Sequence, residues 1–385
     1  CNEVITKYGE STEPEIIQYV AEARFWRAFS YDKLYHLFGT VPLVTGSQDI
    51  KNGIARASQE EMESFIETEL ADVEKVLPET YSSTDYGRPT SWAVKATLAR
   101  YYLNKKDWKK ASIYAKEIID KGGFNLVDYQ DIFSKNQNDE VILAINHIAE
   151  ANHGNKYVAL VLEASIRDAL GITGVSASNG YGMAVPFFRT FDPDDKRITP
   201  YNPATGKGIA VSGIVYKSDG TPVYGTPEEP KSVEEQLSRI LTFKWEVQTN
   251  IPLGEDASLN VPALRLGEVM LTYAEAENEL GHLEEAKTYV DKIRSRAGLE
   301  NLPANLNMAS MRDAILDERG WELYHEGYRR EDLVRHGKLL EKVNEKYHYY
   351  FGKDMPWKNN NDRILQPIPT NALLLNPLLK QNPGY

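Results

Sequence analysis

Apolar residues recur at helical spacing through the first third of the chain and again after Pro262; between those regions the periodicity breaks down. In PEIIQYVAEARFWRAFSYDKLYHLF (14–38), Ile16, Val20, Phe25, Trp26, Phe29, Leu34 and Phe38 cover more than one stripe, which predicts a helix buried on several sides. Gly39 and Pro42 end it. Ser58 with Glu61 forms a capping box, and Met62, Ile66, Val73 and Leu77 carry the next helix as far as Pro78. Thr90 and Asp107 are placed to cap two helices around LARYYLNKKDWKKASIYAKEI (98–118), which Gly122-Gly123 stops.

That last pair occurs twice. In YAEAENELGHLEEAKTYVDKI (273–293), Ala274 and Ala286 match Ala99 and Ala111, Leu283 matches Trp108, and Tyr289 matches Tyr114. Small residues where antiparallel helices touch, with a large apolar residue opening the second helix, make the pattern of a tetratricopeptide unit. Such a unit cannot bury its own faces and needs stacking partners. Further helices are expected at 263–280, 283–297 and 309–327. From about 124 to 260, Gly, Pro, Asn and Ser rise, and Asp219-Gly220 between IVYK and TPVYG reads as a β-hairpin. The expected fold is mostly α: one domain over 1–385, with a helical scaffold at 14–123 and 261–345. A loop-rich, ligand-facing insertion occupies 124–260, and an irregular Pro- and Asn-rich tail follows at 346–385.

Charge narrows the function classes. A net charge of −12 argues against a nucleic-acid partner, which needs a concentrated cationic face. No apolar run approaches the ~18 residues of a helical membrane span. The single cysteine, Cys1, excludes an intrachain disulfide. Because CNEVITKYGES runs almost at once into helical pattern, Cys1 reads as an interior residue at a chain boundary.

Tyr outnumbers Phe by 23 to 11, and Tyr and Trp suit surfaces that must be both wet and sticky. A sugar needs such a surface: its axial C–H face stacks on an aromatic ring, and its hydroxyls exchange hydrogen bonds with amides, donate to carboxylates or accept from guanidinium groups. Asn179, Tyr181 and Tyr216 in the insertion, and Trp357 and Asn359 in the tail, are the candidate ligand contacts, with Tyr201, Asn202 and Tyr224 in reserve. Trp26, Trp92 and Trp108 sit among helical apolar neighbours and read as core, as does Trp245.

Candidate catalysts are few. Glu318, Glu322 and Glu326 lie a turn apart and could serve glycoside hydrolysis, but Arg319, Arg329, Arg330 and Arg335 interleave with them and are expected to pair them. Asp192, Asp194 and Asp195 lack the Gly and distal Glu of a calcium loop and read as a solvated turn. HExxH, GxSxG, Walker and GxGxxG motifs are absent, and no cofactor or metal site is expected.

Six ordered segments go beyond a generic repeat: AEARFWRAFSYDKLYHLFGTVPLVT, GRPTSWAVKATLARYYL, LRLGEVMLTYAEAENELG, IRSRAGL, DERGWELYHEGYRREDLVRHGK and the ending PIPTNALLLNPLLKQNPGY. Together they resemble the SusD/RagB family. The resemblance implies a non-catalytic outer-membrane lipoprotein of Bacteroidetes, exposed on the cell surface, that captures oligosaccharides. Its implied partner is a SusC-like TonB-dependent transporter. In that family a helical segment and a lipidated cysteine precede the stretch resembling 2–38, so the lipid anchor is expected outside this chain, along with part of the ligand site. A peptide-binding RagB-like member and a tetratricopeptide-type interaction scaffold are the alternatives, with an α-helical glycoside hydrolase last.

Overall fold

The computed structural model describes residues 1–46, 52–150, 153–162, 164–169, 176–178, 180–198, 215–216, 222–224, 240, 242–246, 248 and 257–385. The first helices are α1 (Asn2–Tyr8), α2 (Pro14–Phe38), α3 (Gln59–Glu74), α4 (Ser91–Asn104) and α5 (Trp108–Lys121). Their ends follow the side chains that cap them. Ser58 accepts from the Glu61 N–H while the Glu61 carboxylate takes the Ser58 N–H, Thr90 accepts from Ala93, and Asp107 accepts from Lys110. Gly39 closes α2 at φ +72°, a conformation that favours glycine.

After α5 come α6 (Asp131–Ser134), β1 (Val141–Ile145), α7 (Tyr157–Val161), α8 (Ala164–Ala169), α9 (Val185–Phe188), β2 (Val215–Tyr216), β3 (Pro222–Tyr224) and β4 (Val261–Arg265). Strand β1 pairs antiparallel with β4, from Val141 opposite Arg265 to Ile145 opposite Val261. The strand that leaves the helices is thus tied to the strand that returns to them. Strands β2 and β3 also pair antiparallel, on either side of the predicted Asp219-Gly220 turn, which lies outside the described residues.

The chain then enters α10 (Leu266–Glu279), α11 (Leu283–Arg296), α12 (Met308–Glu322), α13 (Arg329–Arg335), α14 (Leu339–Phe351) and α15 (Thr370–Leu375). Helices α2 to α5 pack in succession, α10 lies against α5, and α11 and α12 follow. The duplicated hairpins, far apart in sequence, are therefore neighbours in one stack. Ala99, Ala111, Ala274 and Ala286 are all buried at the helix contacts, where any larger side chain would push the axes apart. Ser112 donates across the junction to Glu277 at 2.5 Å. One core fills this stack, and a second forms around Tyr129, Phe133, Met183, Phe243 and Trp245. Trp92 and Trp245 are buried, whereas Trp26 and Trp108 are half-buried and pack on the rim of the first core.

Two elements depart from the sequence reading. The helix expected over 309–327 stops at Glu322, and the chain turns through His325 (φ +64°) and Gly327 (φ +88°) before α13. That turn takes Glu326 off the helix and delivers its carboxylate to Arg265 and Lys244. Residues 346–351 continue α14, and the Tyr350 hydroxyl accepts from the Val185 N–H at 3.2 Å. Beyond it the irregular segment is clasped to the start of the stack: Asn382, almost fully buried, donates to the carbonyls of Phe38 and Gln366.

Candidate functional site

Beneath the junction of scaffold and insertion lies a lattice of buried charges. Arg197 donates to Asp195 at 2.7 Å, to Glu318 at 2.6 Å and to Glu322 at 3.1 Å. Arg265 bridges Glu140 at 2.8 Å, Glu322 at 2.6 Å and Glu326 at 2.7 Å, while Arg294 reaches Glu318 at 3.2 Å and Arg296 pairs with Glu140 and Glu322. Lys244 donates to Glu326 at 2.6 Å and to the Tyr324 carbonyl at 2.5 Å.

These pairings correct the sequence reading on partners. The arginines that interleave with the glutamates on α12 and α13 go elsewhere: Arg319 to Asp332, Arg335 to Glu275 and Asp332, and Arg329 and Arg330 to backbone carbonyls. The cations on Glu318, Glu322 and Glu326 come instead from the insertion, from β4 and from α11. Asp195 is likewise no solvated turn residue; it is buried and fixes Arg197. Burial alone would raise every carboxyl here, but three guanidinium groups hold Glu322 well below the usual range. Glu318 is raised, because burial outweighs Arg197 and Arg294. The same burial brings Lys244 down to about 8. All three glutamate side chains are shut away from solvent.

Above the lattice lies an aromatic face. Ser178 and the segment 180–183 are pinned by their backbones: the Ser178 N–H to Ala159, those of Gly180 and Tyr181 to Leu160, and Met183 in a mutual bridge with Ile240. This fixed course presents Tyr181, 54% exposed, 6.0 Å from the His325 ring. His325 meets Tyr157 edge-on at 4.6 Å and stacks on Tyr324 at 5.4 Å, and Tyr157 lies 4.1 Å from Trp245. Burial, with Lys244 close by, brings the His325 imidazole down to about 4, so at neutral pH it keeps one donor and one acceptor. Among the described residues its Nδ1 has no hydrogen-bond partner, and it is closed off from solvent. A half-exposed phenol standing beside a buried, neutral imidazole can stack a sugar face and exchange a hydrogen bond with a hydroxyl through its own oxygen.

Trp357, 39% exposed, sits in a second and separate patch. Arg363 lies over its ring at 6.0 Å and over that of Tyr385 at 4.2 Å, with Asn359 exposed nearby in the chain. The ring contacts of the described residues do not join this patch to Tyr181. Tyr216 lies in β2 and its side chain is outside the described residues, as is Asn179 altogether. Sequence reasoning missed His325, Tyr157, Tyr324 and Arg363. The clue was YHEGY (324–328), where two aromatics flank a glycine two places after a histidine. Such a string leaves a helix rather than continuing it.

Comparison with known proteins adds ancestry to this geometry. Residues 211–385 match the model of the SusD family, and residues 3–103 match a model described as starch-binding associating with outer membrane. A SusD-like protein of Formosa agariphila is 28% identical across 100% of this chain and 78% of its own length. The starch-binding protein SusD of Bacteroides thetaiotaomicron is 24% identical across 97% of this chain and 74% of its own. A crystal structure of a SusD-like protein from Bacteroides fragilis has the same fold, with a TM-score of 0.78 at 24% identity over 100% of this chain and 83% of that one.

Proposed function

The chain is a member of the SusD family, and from that premise we propose that it binds oligosaccharides at the cell's outer membrane, on the extracellular face, without cleaving them. It passes them to a SusC-like TonB-dependent transporter. The relative from Bacteroides thetaiotaomicron is named as starch-binding, and the model matched by residues 3–103 describes outer-membrane association.

The observation that carries the reading is Tyr181 standing half-exposed on the aromatic face that His325, Tyr157 and Tyr324 build beneath it. An open platform of this kind leaves much of each sugar hydrated, so affinity is modest. Burial of Glu318, Glu322 and Glu326 against cations supports the non-catalytic half, because a glycosidase needs two carboxyl groups on either side of an accessible bond. Tyr216, Trp357, Asn359 and Asn179 remain proposed contacts of the same class.

The test is a binding screen by calorimetry and affinity gels against starch, other neutral glycans, acidic glycans and peptides, with reducing-end release assayed in parallel. Retention by a glycan with no release is expected. Retention by peptides alone would replace this reading with the RagB-like one, and released reducing ends would overturn the non-catalytic assignment.

A further inference from the structure

A cavity of about 250 Å³ opens among α9, α12, α13 and α14, on residues the aromatic face does not use. Pro186, Phe187, Leu333 and Val343 give it apolar walls, and Asp317 and Arg329 give it opposite charges. Arg329 is built in. Its guanidinium lies 5.4 Å from the Phe187 ring, donates to the Leu316 carbonyl at 2.6 Å, and packs so tightly on α12 that a Cβ at Gly320 would come 2.8 Å from Nη1. Burial lowers its pKa, yet among the described residues it forms no ion pair with a carboxylate. Asp332, which could have met it, is taken by Arg319 and Arg335. Asp317 lines the same cavity and makes no ion pair with Arg329 or any other described residue. At the rim, Lys342 is neutralised by Glu345 at 2.9 Å, and Lys346 adds a positive charge on the exposed surface.

A half-buried guanidinium such as that of Arg329 normally closes on a carboxylate, because an uncompensated buried ion is costly. Here it and the exposed Asp317 are held short of each other on the wall of one cavity. The volume lies below the roughly 300–1,000 Å³ of pockets for drug-sized ligands, so the occupant is a single small group. We propose that this cavity binds a free amino acid with an aliphatic side chain: its carboxylate on Arg329, its ammonium on Asp317, its side chain against Phe187, Leu333 and Val343. This inference does not depend on the glycan reading, since it uses none of the residues of the aromatic face.

L-leucine is the probe, with leucinamide lacking the carboxylate and 4-methylpentanoate lacking the ammonium. Titration followed by NMR or calorimetry should give leucine the tighter binding by at least about tenfold over each analogue. Asp317→Asn, at an exposed position, should erase the preference over 4-methylpentanoate alone. Arg329→Met should erase the preference over leucinamide alone. Equal binding of all three compounds, or no binding by any, overturns the proposal. So does an Asp317→Asn variant that keeps full discrimination, which remains readable if the Arg329 variant fails to fold. Oligosaccharide binding measured in the same variants should be unchanged.

Discussion

The charged lattice and the aromatic face both draw on one short stretch, 318–326, yet they obey opposite rules. On one side Glu318, Glu322 and Glu326 are saturated: each meets cations drawn from distant segments and none sees solvent. On the other side Tyr324 and His325 support a surface that is left open, with Tyr181 half-exposed above them. Saturation fixes a structure, and an exposed aromatic ring offers its face to a ligand. The turn at His325 separates the two, because it sends Glu326 down into the lattice while the imidazole stays up.

The largest break of this contrast comes from the saturated side. Removing the Glu322 carboxylate in Glu322→Ala strands Arg265, Arg296 and Arg197 without their shared anion. Breaking a buried pair by deleting one partner costs about 3–5 kcal/mol. Thermal and urea denaturation should show that loss, or no folded protein at all. A cost near that of a surface substitution would mean the lattice is not what ties insertion to scaffold. Next comes the scaffold itself: Ala99→Leu forces a branched side chain into the buried core of the stack, and overpacking costs about 1–3 kcal/mol. The midpoint of urea unfolding measures it, and an unchanged midpoint would show that the small residues do not set the helix spacing.

How far the chain could be read follows the same divide. The stack was legible because its determinants are local: capping side chains at Ser58, Thr90 and Asp107, and alanines at fixed spacing. The turn that ends α12 is written locally in YHEGY, but where it sends Glu326 was not legible, because Arg265 and Lys244 come from distant segments. The pairing of β1 with β4 was equally hidden, since its partners are separated by the whole insertion. Tyr181 could be named from an aromatic in a glycine-flanked loop. Its neighbours His325 and Tyr157 could not, because the three residues come from three different segments and share only a place in space. Interleaved arginines predicted that the glutamates would be paired and failed to predict by which cations.

On the unsaturated side the effects move from stability to binding. Tyr181→Ala should weaken oligosaccharide affinity by about 1–3 kcal/mol, by analogy with other stacking platforms, and leave the thermal midpoint within a degree or so. Trp357→Ala provides the sharper comparison, because its patch rests on Arg363 and Tyr385 and shares no ring contact with Tyr181. A loss in the Tyr181 variant alone confines the site to the insertion. A loss in both means one ligand chain spans the two patches, and no loss in either removes the assignment. Calorimetry with the best glycan of the screen decides among them.

The smallest expected effect tests the imidazole. His325 titrates at about 4 in the folded chain against 6.5 for an exposed histidine, because burial disfavours its charged form. In the window between those values the unfolded chain binds a proton that the folded chain refuses. Stability is therefore full above about pH 6.5 and falls as the pH drops toward 4. Glu318, raised by burial, works in the opposite sense: its contribution is present at low pH and lost as pH rises, so the total slope alone cannot identify His325. The difference between wild type and His325→Asn can. Asn is the right replacement because it tolerates the left-handed φ of +64° at this position, where most side chains would add strain of their own. Thermal midpoints measured from pH 7 down to pH 5 should fall more steeply in the wild type than in the variant. Parallel curves would mean that His325 titrates normally, and that the imidazole beside Tyr181 is wetter than its packing against Tyr157 and Tyr324 implies.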